Sequence, residues 1–571
     1  MSAPVIGNSS LTRFDVLIVG AGLGASAAAE ILCAQGQKVL LLEAGQSLID
    51  GLDDPDPSHL RSHFSNDEVK LHSRGLVYAD SIMEPRTFRP SPADGDRTYV
   101  GDVNGLPKTV GGGMLLSDMK LIRFRPTDFQ LGTLLGEVPG ASFADWPVTY
   151  DELEPFYLHA ETVMGVQGQA GSDPTEPPRS GPYPLPPGLP MYAAVLAQAG
   201  AQKLGYTAFP YPEGIASRPY DGRPACAQCG FCSGFGCPTN AKGAPGVTTL
   251  RHALLTGNCQ LWPETRVIKL LLSASGNEVT GVQAIGSDGS PLQFTADRYI
   301  LAASPIEDVR LLLLSDPGGP GVGNSSGLVG RNLTFHLETD AAGIFEERVH
   351  AYRGTGTSWA LTEFRGVPND PARPLGGVVE IGGPVGPVDE TAIYAGQLGM
   401  NGARLKALMR QSPLRDRVLG LTMHGEDAPQ PTNRVDLDPA VRDIDGLPVA
   451  RVTYQNHSFE LNARAFYVPK LLDLLGAAGA KYGFVDPISS VPSSRHIMGT
   501  LRFGTDPKKS VCDATGLFHD VGNLYATDGA LFPTSSGFNP SLTIGALAAF
   551  VAGGMVFPGS PQKVLGASQP G

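Results

Sequence analysis

Near its start, the chain alternates short apolar runs with a glycine-rich turn, a pattern that predicts a strand–turn–helix–strand unit. An apolar strand is expected over Val16–Val19, and residues 20–25, GAGLGA, form the turn. An alanine-rich helix is expected over residues 26–34, and a second apolar strand over residues 38–42. Apolar runs of this length, bounded by glycine, are typical of strands buried on both faces of a parallel sheet. The fold class that this pattern indicates is α/β.

Further apolar runs predict more of the same architecture. Residues 267–272, Val279–Ile285 and residues 299–303 fit buried strands, and residues 309–314 fit a helix that follows the last of them. The end of the chain, from Pro558 onward, is rich in Gly, Pro, Ser and Gln and is expected to fray. At 571 residues the chain is too long for one ordinary hydrophobic core, so two or more lobes are expected.

The composition narrows the class of partners. Apolar residues make up 42% of the chain, which is enough to bury a large interior, and the net charge is −13. An acidic surface with both signs interspersed argues against nucleic acid and against anionic membranes as partners. No run of 18 apolar residues exists, so no transmembrane helix is expected, and the first residues lack the features of a secretory signal. We therefore expect a cytoplasmic protein, in which disulfides are rare.

The turn between the first strand and helix has the spacing G-x-G-x-x-A of a dinucleotide-binding fingerprint, and Glu43 follows about twenty residues later. Gly20 would make the tight turn, Gly22 would let the backbone approach a pyrophosphate, and Ala25 would let helix and strand pack closely. The helix N-terminus would face the phosphate charge, and Glu43 would accept hydrogen bonds from ribose hydroxyls. These residues alone do not distinguish NAD from FAD as the bound dinucleotide. FAD is favoured because the motif opens a long chain that has no second such fingerprint.

Two blocks near the C-terminus carry a resemblance to a known family. Residues 494–507 read SRHIMGTLRFGTDP, and residues 523–549 read NLYATDGALFPTSSGFNPSLTIGALAA. Together with the N-terminal fingerprint they resemble the glucose–methanol–choline (GMC) oxidoreductases, which are FAD-dependent alcohol and sugar oxidases and dehydrogenases. Further blocks that match this family are residues 108–113, 146–157, 327–332 and 433–439.

The resemblance implies a two-lobed architecture, α/β or, over the whole chain, α+β. It combines a Rossmann-like FAD-binding domain, assembled from discontinuous segments, with a substrate domain that contains a large antiparallel sheet. The FAD-binding domain would comprise residues 12–50, 100–135, 235–335 and 490–556. The substrate-binding domain and its covering loops would comprise residues 51–99, 136–234 and 336–489.

The same resemblance indicates a catalytic pair. Oxidation of an alcohol by a flavin requires a base for the hydroxyl proton while a hydride passes from carbon to flavin N5, and imidazole has a suitable pKa for that base. His496 matches the family's catalytic histidine, and Asn539 matches a second position that holds His or Asn. Asn539 would orient the substrate oxygen, and since an amide does not titrate, His496 is the only candidate base of the pair. His336 and His424 are expected to be helpers at most.

Several further residues would contact FAD by the same resemblance. The glycine turn at residues 111–112 would lie along the flavin, and Val267 would meet the adenine end. The segment at Asp528 would approach the pyrophosphate and ribityl chain, and a helix that begins near Ser541 would point its positive N-terminus at the flavin N1–C2=O edge. The complete set of expected cofactor contacts is Gly20, Gly22, Gly24, Ala25, Glu43, Ala44, Gly111, Gly112, Val267, Asp528, Gly529, Asn539, Pro540 and Ser541. Residues 114–119 contain no histidine, so non-covalent FAD is expected.

Four of the seven cysteines, Cys226, Cys229, Cys232 and Cys237, fall in the spacing C-x2-C-x2-C-x4-C. Ferredoxin-type runs that hold an iron–sulfur cluster are one residue shorter, and tetrahedral zinc sites usually draw on two separated pairs. GMC relatives without a cluster carry a similar run followed by a lysine, which is Lys242 in this chain. An iron–sulfur cluster with these four cysteines as ligands stays open, but a cluster-free loop, reduced or disulfide-linked, beside FAD is preferred.

The function that these observations favour is FAD-dependent oxidation of a CH–OH group of a sugar or other polyol to the carbonyl. Two alternatives stay open: oxidation of an apolar alcohol or sterol, and an iron–sulfur/flavin electron-transfer subunit of a dehydrogenase complex. A pure electron carrier needs no base, so the pair of His496 and Asn539 argues against the electron-transfer subunit. The sequence leaves open the alcohol, the oligomeric state, and whether oxygen, another acceptor or a partner protein takes the electrons.

Overall fold

A computed structural model gives the architecture of the chain. It describes residues 5–64, 77–351, 353–356, 358–382, 395–396, 399–411, 416–492 and 494–566. None of the helices in these ranges is both long enough and apolar enough to span a membrane.

The described strands, in chain order, are β1 Ile6–Gly7, β2 Val16–Val19, β3 Val39–Leu42, β4 Ile49–Asp50, β5 Arg61–Ser62, β6 Arg86–Arg89, β7 Tyr99–Gly101, β8 Phe209–Pro210, β9 Cys259–Trp262, β10 Arg266–Leu272, β11 Val279–Ile285, β12 Pro291–Phe294, β13 Arg298–Leu301, β14 Arg331–Thr334, β15 Leu337–Ile344, β16 Trp359–Leu361, β17 Val379–Ile381, β18 Val418–Gly425, β19 Arg434–Arg442, β20 Pro448–Thr453, β21 Tyr482–Val485, β22 Met498–Thr500 and β23 Leu524–Ala526. The described α-helices are α1 Leu23–Ala34, α2 Leu131–Leu135, α3 Tyr150–Met164, α4 Tyr192–Lys203, α5 Thr249–Leu255, α6 Pro305–Ser315, α7 Gly402–Gln411, α8 Ser458–Ala478 and α9 Ser541–Val556.

The predicted strand–turn–helix–strand unit lies at the centre of a six-stranded sheet with the order β1-β9-β3-β2-β13-β23. All neighbours in this sheet pair in parallel except β1, which pairs with β9 in the antiparallel direction. The side chains of β2 and β3 are buried throughout, as their continuous apolar sequences VLIV and VLLL require. Helix α1, which connects these two strands, packs against both α5 and α9.

A second six-stranded sheet, β21-β15-β18-β17-β16-β8, is antiparallel at every pairing. Helix α8 packs on β15, β18 and β21, and α4 packs on α8 and β17. These contacts form an apolar core of their own, in which Ala197, Leu421 and Leu474 are fully or almost fully buried. The sheet therefore has one face covered by helices, which leaves its other face free to line a cavity.

A third six-stranded sheet has the order β22-β14-β19-β20-β6-β7, and β10-β11-β12 form a separate three-stranded sheet. In the third sheet, β14 and β22 come from segments that the sequence assigned to the FAD-binding lobe, whereas β6, β19 and β20 come from segments assigned to the substrate lobe. The domain boundaries given above stay a prediction.

The predicted elements match the structure to within a few residues. Strands β2 and β11 have the predicted bounds, whereas α1 begins at Leu23 rather than residue 26, and α6 begins at Pro305 rather than residue 309. Helix α6 starts early because a proline in the first turn loses no hydrogen bond there. Fraying from Pro558 is wrong for residues 561–566, which form a 3-10 helix; residues 567–571 lie outside the described range.

Candidate active site

A cavity of about 750 Å³ lies between the parallel sheet and the uncovered face of the antiparallel sheet. The residues of the antiparallel sheet that line it are Glu338, Asp340, Glu380, Gly382, Gly420, Thr422 and His424. On β18 the lining residues alternate with Leu421 and Met423, which are buried in the apolar core, because successive side chains of a strand point to opposite faces. Glu338 of β15 pairs in register with His424 of β18. The antiparallel sheet therefore contributes a polar wall with several ionisable groups.

Most of the residues that the sequence assigned to the cofactor or to catalysis also line this cavity. The predicted residues that line the cavity are Gly20, Gly22, Gly24, Glu43, Ala44, Gly112, Val267, His496, Asp528, Gly529, Asn539, Pro540 and Ser541. Ala25 and Gly111 are not part of the lining. Ala25 is fully buried inside α1, and the backbone N–H of Gly111 donates to the Ala21 carbonyl oxygen at 2.9 Å, which ties the two glycine turns together.

Two helices point uncapped N-termini into this cavity. Helix α1 has Gly22 and α9 has Pro540 at the N-cap position, and in neither does a side chain accept from the first turn's N–H groups. Gly22, Leu23, Pro540 and Ser541 all line the cavity. A helix N-terminus carries partial positive charge and free backbone donors, so both ends suit a ligand that brings anionic or electron-rich atoms.

The glycines of the fingerprint differ in what a side chain would meet. A Cβ on Gly20, whose φ is +104°, would clash with the Ala302 carbonyl oxygen, and a Cβ on Gly24 would clash with the Thr527 carbonyl oxygen. The nearest atom to a Cβ on Gly22 is the Gly112 Cα, at 4.0 Å. Gly20 and Gly24 are therefore required by the protein's own packing. The space above Gly22 is open in the protein, which is what close approach of a pyrophosphate needs.

Glu43 and Asp528 both organise backbone around the cavity. The Glu43 carboxylate accepts the N–H of Ala21 at 2.9 Å and the N–H of Gly45 at 2.8 Å, and burial raises the pKa of Glu43 to about 7. Asp528 accepts the N–H of Ser304 and the N–H of Ala530, each at 2.9 Å. Each carboxylate oxygen has a second lone pair, so Glu43 still has acceptor capacity for a ribose hydroxyl.

His496 lies beside His336 because of strand pairing. Thr334 at the end of β14 pairs with Met498 at the start of antiparallel β22. Continuing that register by two residues in each direction brings His336 opposite His496, and the ring centroids are 5.0 Å apart. Spacing along the chain gives no sign of this contact, so the sequence supported His336 only as a helper.

The hydrogen bonds of His336 fix the tautomers of both rings. His336 Nε2 lies 2.8 Å from the Ser536 carbonyl oxygen and 3.2 Å from that of Ser535, and carbonyls only accept, so Nε2 carries the proton. In a neutral ring Nδ1 is then an acceptor, and at 2.9 Å it receives the Nδ1–H of His496. The remaining nitrogen of His496, Nε2, is left with a free lone pair.

Burial keeps both imidazoles neutral. It lowers the pKa of His336 to about 3, with a further contribution from the neighbouring His424. Burial, together with His424 and His336, holds the pKa of His496 well below its ordinary value of 6.5. At neutral pH His496 is therefore in the unprotonated form that a base requires.

A buried carboxylate, Glu380, organises the rest of the polar wall. Its Oε2 forms an ion pair with Lys120, which also pairs with Asp118. Its Oε1 accepts from His424 Nε2 at 2.8 Å and from Asn539 Nδ2 at 3.0 Å. Burial opposes the charge, but Lys120 and His424 outweigh it and hold the pKa of Glu380 well below its ordinary value. The sequence singled out neither Lys120 nor Glu380, since no motif marks them.

The four clustered cysteines do not converge on a metal-binding arrangement. All seven cysteines are free, Cys229 is exposed and Cys232 is buried. In the part of the chain that the structure describes, the only group of three or more His, Cys, Asp or Glu residues whose ligand atoms lie within 4.8 Å of one another is His336, His424 and His496. The iron–sulfur ligand set left open by the sequence is therefore not supported.

The same loop is held in place by Lys242. Its buried ammonium group donates to the carbonyl oxygens of Ser117 at 2.5 Å, Phe235 at 2.7 Å and Cys232 at 3.0 Å. Ser233 and Gly234, within the loop, line the cavity. The loop therefore packs beside the cavity, which is the position that the preferred interpretation gave it.

A parallel sheet that opens on a glycine turn, next to a polar wall with an unprotonated imidazole nitrogen, places the chain among the dinucleotide-binding oxidoreductases. Two family models described as GMC oxidoreductase match residues 191–338 and 429–548. The chain is 30% identical to the fructose dehydrogenase large subunit of Gluconobacter japonicus, over 93% of this chain and 96% of that protein. It belongs to the GMC oxidoreductase family and is an FAD-dependent oxidoreductase of the alcohol- and sugar-oxidising type.

Two further comparisons agree with this assignment. The chain is 29% identical to the 2-methyl-1,2-propanediol dehydrogenase of Mycolicibacterium austroafricanum, over 95% of this chain and 94% of that protein. Its fold matches the crystal structure of pyridoxine 4-oxidase from Mesorbium loti with a TM-score of 0.61 and 20% identity, covering 95% of this chain and 98% of that one. The predicted family and fold class are thus confirmed.

Proposed function

We propose that the protein oxidises a CH–OH group of a sugar or other polyol to the carbonyl, with His496 as the general base. The observation that carries the proposal is the free lone pair on His496 Nε2. The hydrogen bonds of His336 force it, and His496 lines the cavity. That nitrogen accepts the hydroxyl proton as the substrate's C–H bond breaks.

The chain's own residues fit FAD in this cavity. The α1 N-terminus and Gly22 would hold the pyrophosphate, Glu43 the ribose, and Val267 the adenine end. The N-terminus of α9 would lie at the flavin ring, where its partial positive charge favours uptake of negative charge. Bound FAD supplies the acceptor, at N5, for the hydride that leaves the alcohol carbon. Non-covalent attachment stays a prediction from the sequence, as does a cytoplasmic location.

The polar wall supports a hydroxyl-rich substrate. Glu338, Asp340 and Thr422 line the cavity on the antiparallel face, where the Thr422 hydroxyl donates to Asp340. Their side-chain oxygens retain lone pairs that can accept from several substrate hydroxyl groups. An apolar alcohol or sterol would cover half-buried Glu338 without offering it a hydrogen bond, which costs free energy. The relatives named for fructose and for a propanediol act on hydroxylated molecules, in agreement with this preference.

The test is anaerobic reduction of the bound flavin by a panel of sugars, polyols, long-chain alcohols and sterols, followed in the visible spectrum. We expect sugars or polyols to bleach the flavin, and His496→Ala to lower the rate about 10²–10⁴-fold while FAD stays bound. His519→Gln is the matched control, because His519 bonds to Ser510 at 2.9 Å and is not part of the cavity lining. Bleaching of His496→Ala at the parent rate would remove His496 from the mechanism. Admitting air afterwards separates an oxidase from a dehydrogenase.

A further inference from the structure

We propose that His424 donates the second hydrogen bond to the reacting substrate oxygen, so that this oxygen lies between His424 Nδ1 and His496 Nε2. The inference rests on the proposed function. The two imidazole rings lie with their centroids 5.0 Å apart, and both residues line the cavity. The family resemblance gave the second position to Asn539 instead.

The two nitrogens of His424 have different environments. Nε2 donates to Glu380 Oε1 at 2.8 Å. Nδ1 is buried and has no hydrogen-bond partner among the described residues, and its nearest carboxylate oxygen, Glu338 Oε1, is 3.9 Å away. A buried polar nitrogen without a partner is costly and uncommon. A ligand oxygen in the cavity would satisfy it.

The charges around His424 favour a proton on Nδ1. Glu380 is bonded to one side of the ring and Glu338 lies on the other. Lys120, which pairs with Glu380, opposes them, and the neighbouring His336 and His496 are neutral. Burial alone would lower the pKa of His424, but Glu380 outweighs it and raises the pKa above its ordinary value of 6.5. With Nε2–H committed to Glu380, the second proton makes Nδ1 a donor that points away from Glu380.

Both the nitrogen and the oxygen of the Asn539 amide are hydrogen-bonded to other side chains. Its Nδ2 donates to Glu380 Oε1 at 3.0 Å, and its Oδ1 accepts a short hydrogen bond from the Tyr211 hydroxyl. These bonds hold Asn539 in the wall and help to fix Glu380. Asn539 acts as a positioning residue in this arrangement.

The two histidines have different roles in the reaction, and its protons and electrons balance. The substrate O–H bond breaks and its proton goes to His496 Nε2, while the C–H bond breaks and its hydride leaves to bound FAD, so the C=O bond forms with two electrons removed. His424 keeps its proton throughout. The hydrogen bond from His424 Nδ1–H to the substrate oxygen strengthens as negative charge develops on that oxygen, which lowers the barrier.

The experiment measures the limiting rate of flavin reduction at saturating polyol by anaerobic stopped flow, from pH 5 to pH 10, on the FAD-loaded enzyme. We expect His424→Gln to lower this rate about 10²-fold, the effect of removing one such donor, with FAD content unchanged. The parent should also slow at alkaline pH, as His424 loses its proton, and His424→Gln should lack that limb. His519→Gln is again the control and should match the parent.

A second variant distinguishes the loss of a hydrogen bond from a structural effect of the substitution. His424→Ala leaves a space the size of an imidazole, and we expect added imidazole to restore part of its reduction rate. Parent-like rate and pH profile in His424→Gln, or no rescue of an FAD-loaded His424→Ala, would overturn the role of His424. If His424 is overturned in this way but His496→Ala is still inactive, the proposed function stands and only the role of His424 is lost. A parent enzyme that no alcohol reduces would overturn both.

Discussion

At the residue scale, His336 decides which nitrogen of His496 carries a proton. Its Nε2–H donates to the carbonyl oxygens of Ser535 and Ser536, so its Nδ1 can only accept the proton of His496 Nδ1. Without that acceptor, His496 is free to carry its proton on Nε2, where it would be useless as a base.

This leads to a pair of contrasting substitutions. We expect His336→Leu to lower alcohol-dependent flavin reduction roughly tenfold or more, because general base catalysis is worth about 10²–10⁴-fold and part of it depends on the tautomer. His336→Asn should recover much of the loss, since its amide oxygen can take the place of Nδ1 and accept from His496. Stopped-flow reduction of FAD-loaded protein measures both. Equal rates for the two variants would argue that position 336 matters only for packing.

The glycine fingerprint offers a second contrast at the same scale. An added Cβ on Gly22 meets nothing closer than 4.0 Å, so we expect Gly22→Val to fold but to lose FAD. Gly20→Ala places a Cβ against the Ala302 carbonyl in a left-handed backbone conformation and should lower the melting temperature even without cofactor. Circular dichroism melts and the flavin-to-protein absorbance ratio distinguish the two. Full FAD occupancy in Gly22→Val would show that the pyrophosphate lies elsewhere.

At the element scale, the loop of residues 226–237 depends on one buried ammonium group. We expect Lys242→Met to destabilise the protein by roughly 3 kcal/mol or more, because three carbonyl oxygens would lose their donor and each buried orphan costs about 1–3 kcal/mol. Denaturant unfolding measures this. Cys229→Ser, an exposed position in the same loop, is the control and should leave stability, FAD content and iron content unchanged.

The elements also show how far sequence reasoning reached. The fingerprint, the strands around it and the start of α9 were predictable because their signals are local, carried by apolar runs and by glycine and proline at set positions. The bonds from Glu380 to Lys120 and from His336 to His496 join residues 260 and 160 positions apart. The first depends on how a loop packs against β17, and the second on the register of β14 with β22; a single sequence displays neither. The motif also assigned a packing role to Ala25. In the structure Gly24 shares that role, because a Cβ on Gly24 would clash with the Thr527 carbonyl oxygen.

At the scale of the whole molecule, the cavity lies between two sheets that have separate apolar cores. A ligand that fills it contacts both and binds only the folded protein. We expect removal of FAD to lower the melting temperature by about 2 °C, since a ligand at about 100 times its Kd stabilises by about 2.7 kcal/mol and the unfolding entropy of a chain this long is about 1.2 kcal/mol/K. Calorimetry of the protein with and without FAD measures this. An unchanged melting temperature would mean that the cofactor does not connect the two sheets.

The packing of α1 on α9 has a consequence for biosynthesis. Helix α1 ends at residue 34 and its partner begins at residue 541, and β23, at the edge of the same parallel sheet, also comes from the last tenth of the chain. At about 5–20 residues per second, a ribosome needs roughly 25–100 s to make the intervening polypeptide. During that interval the side of α1 that packs on α9 has no native cover, although α5 is already made. The nascent chain is therefore a natural client for chaperones at the exit tunnel, and FAD capture is expected to follow release rather than accompany synthesis.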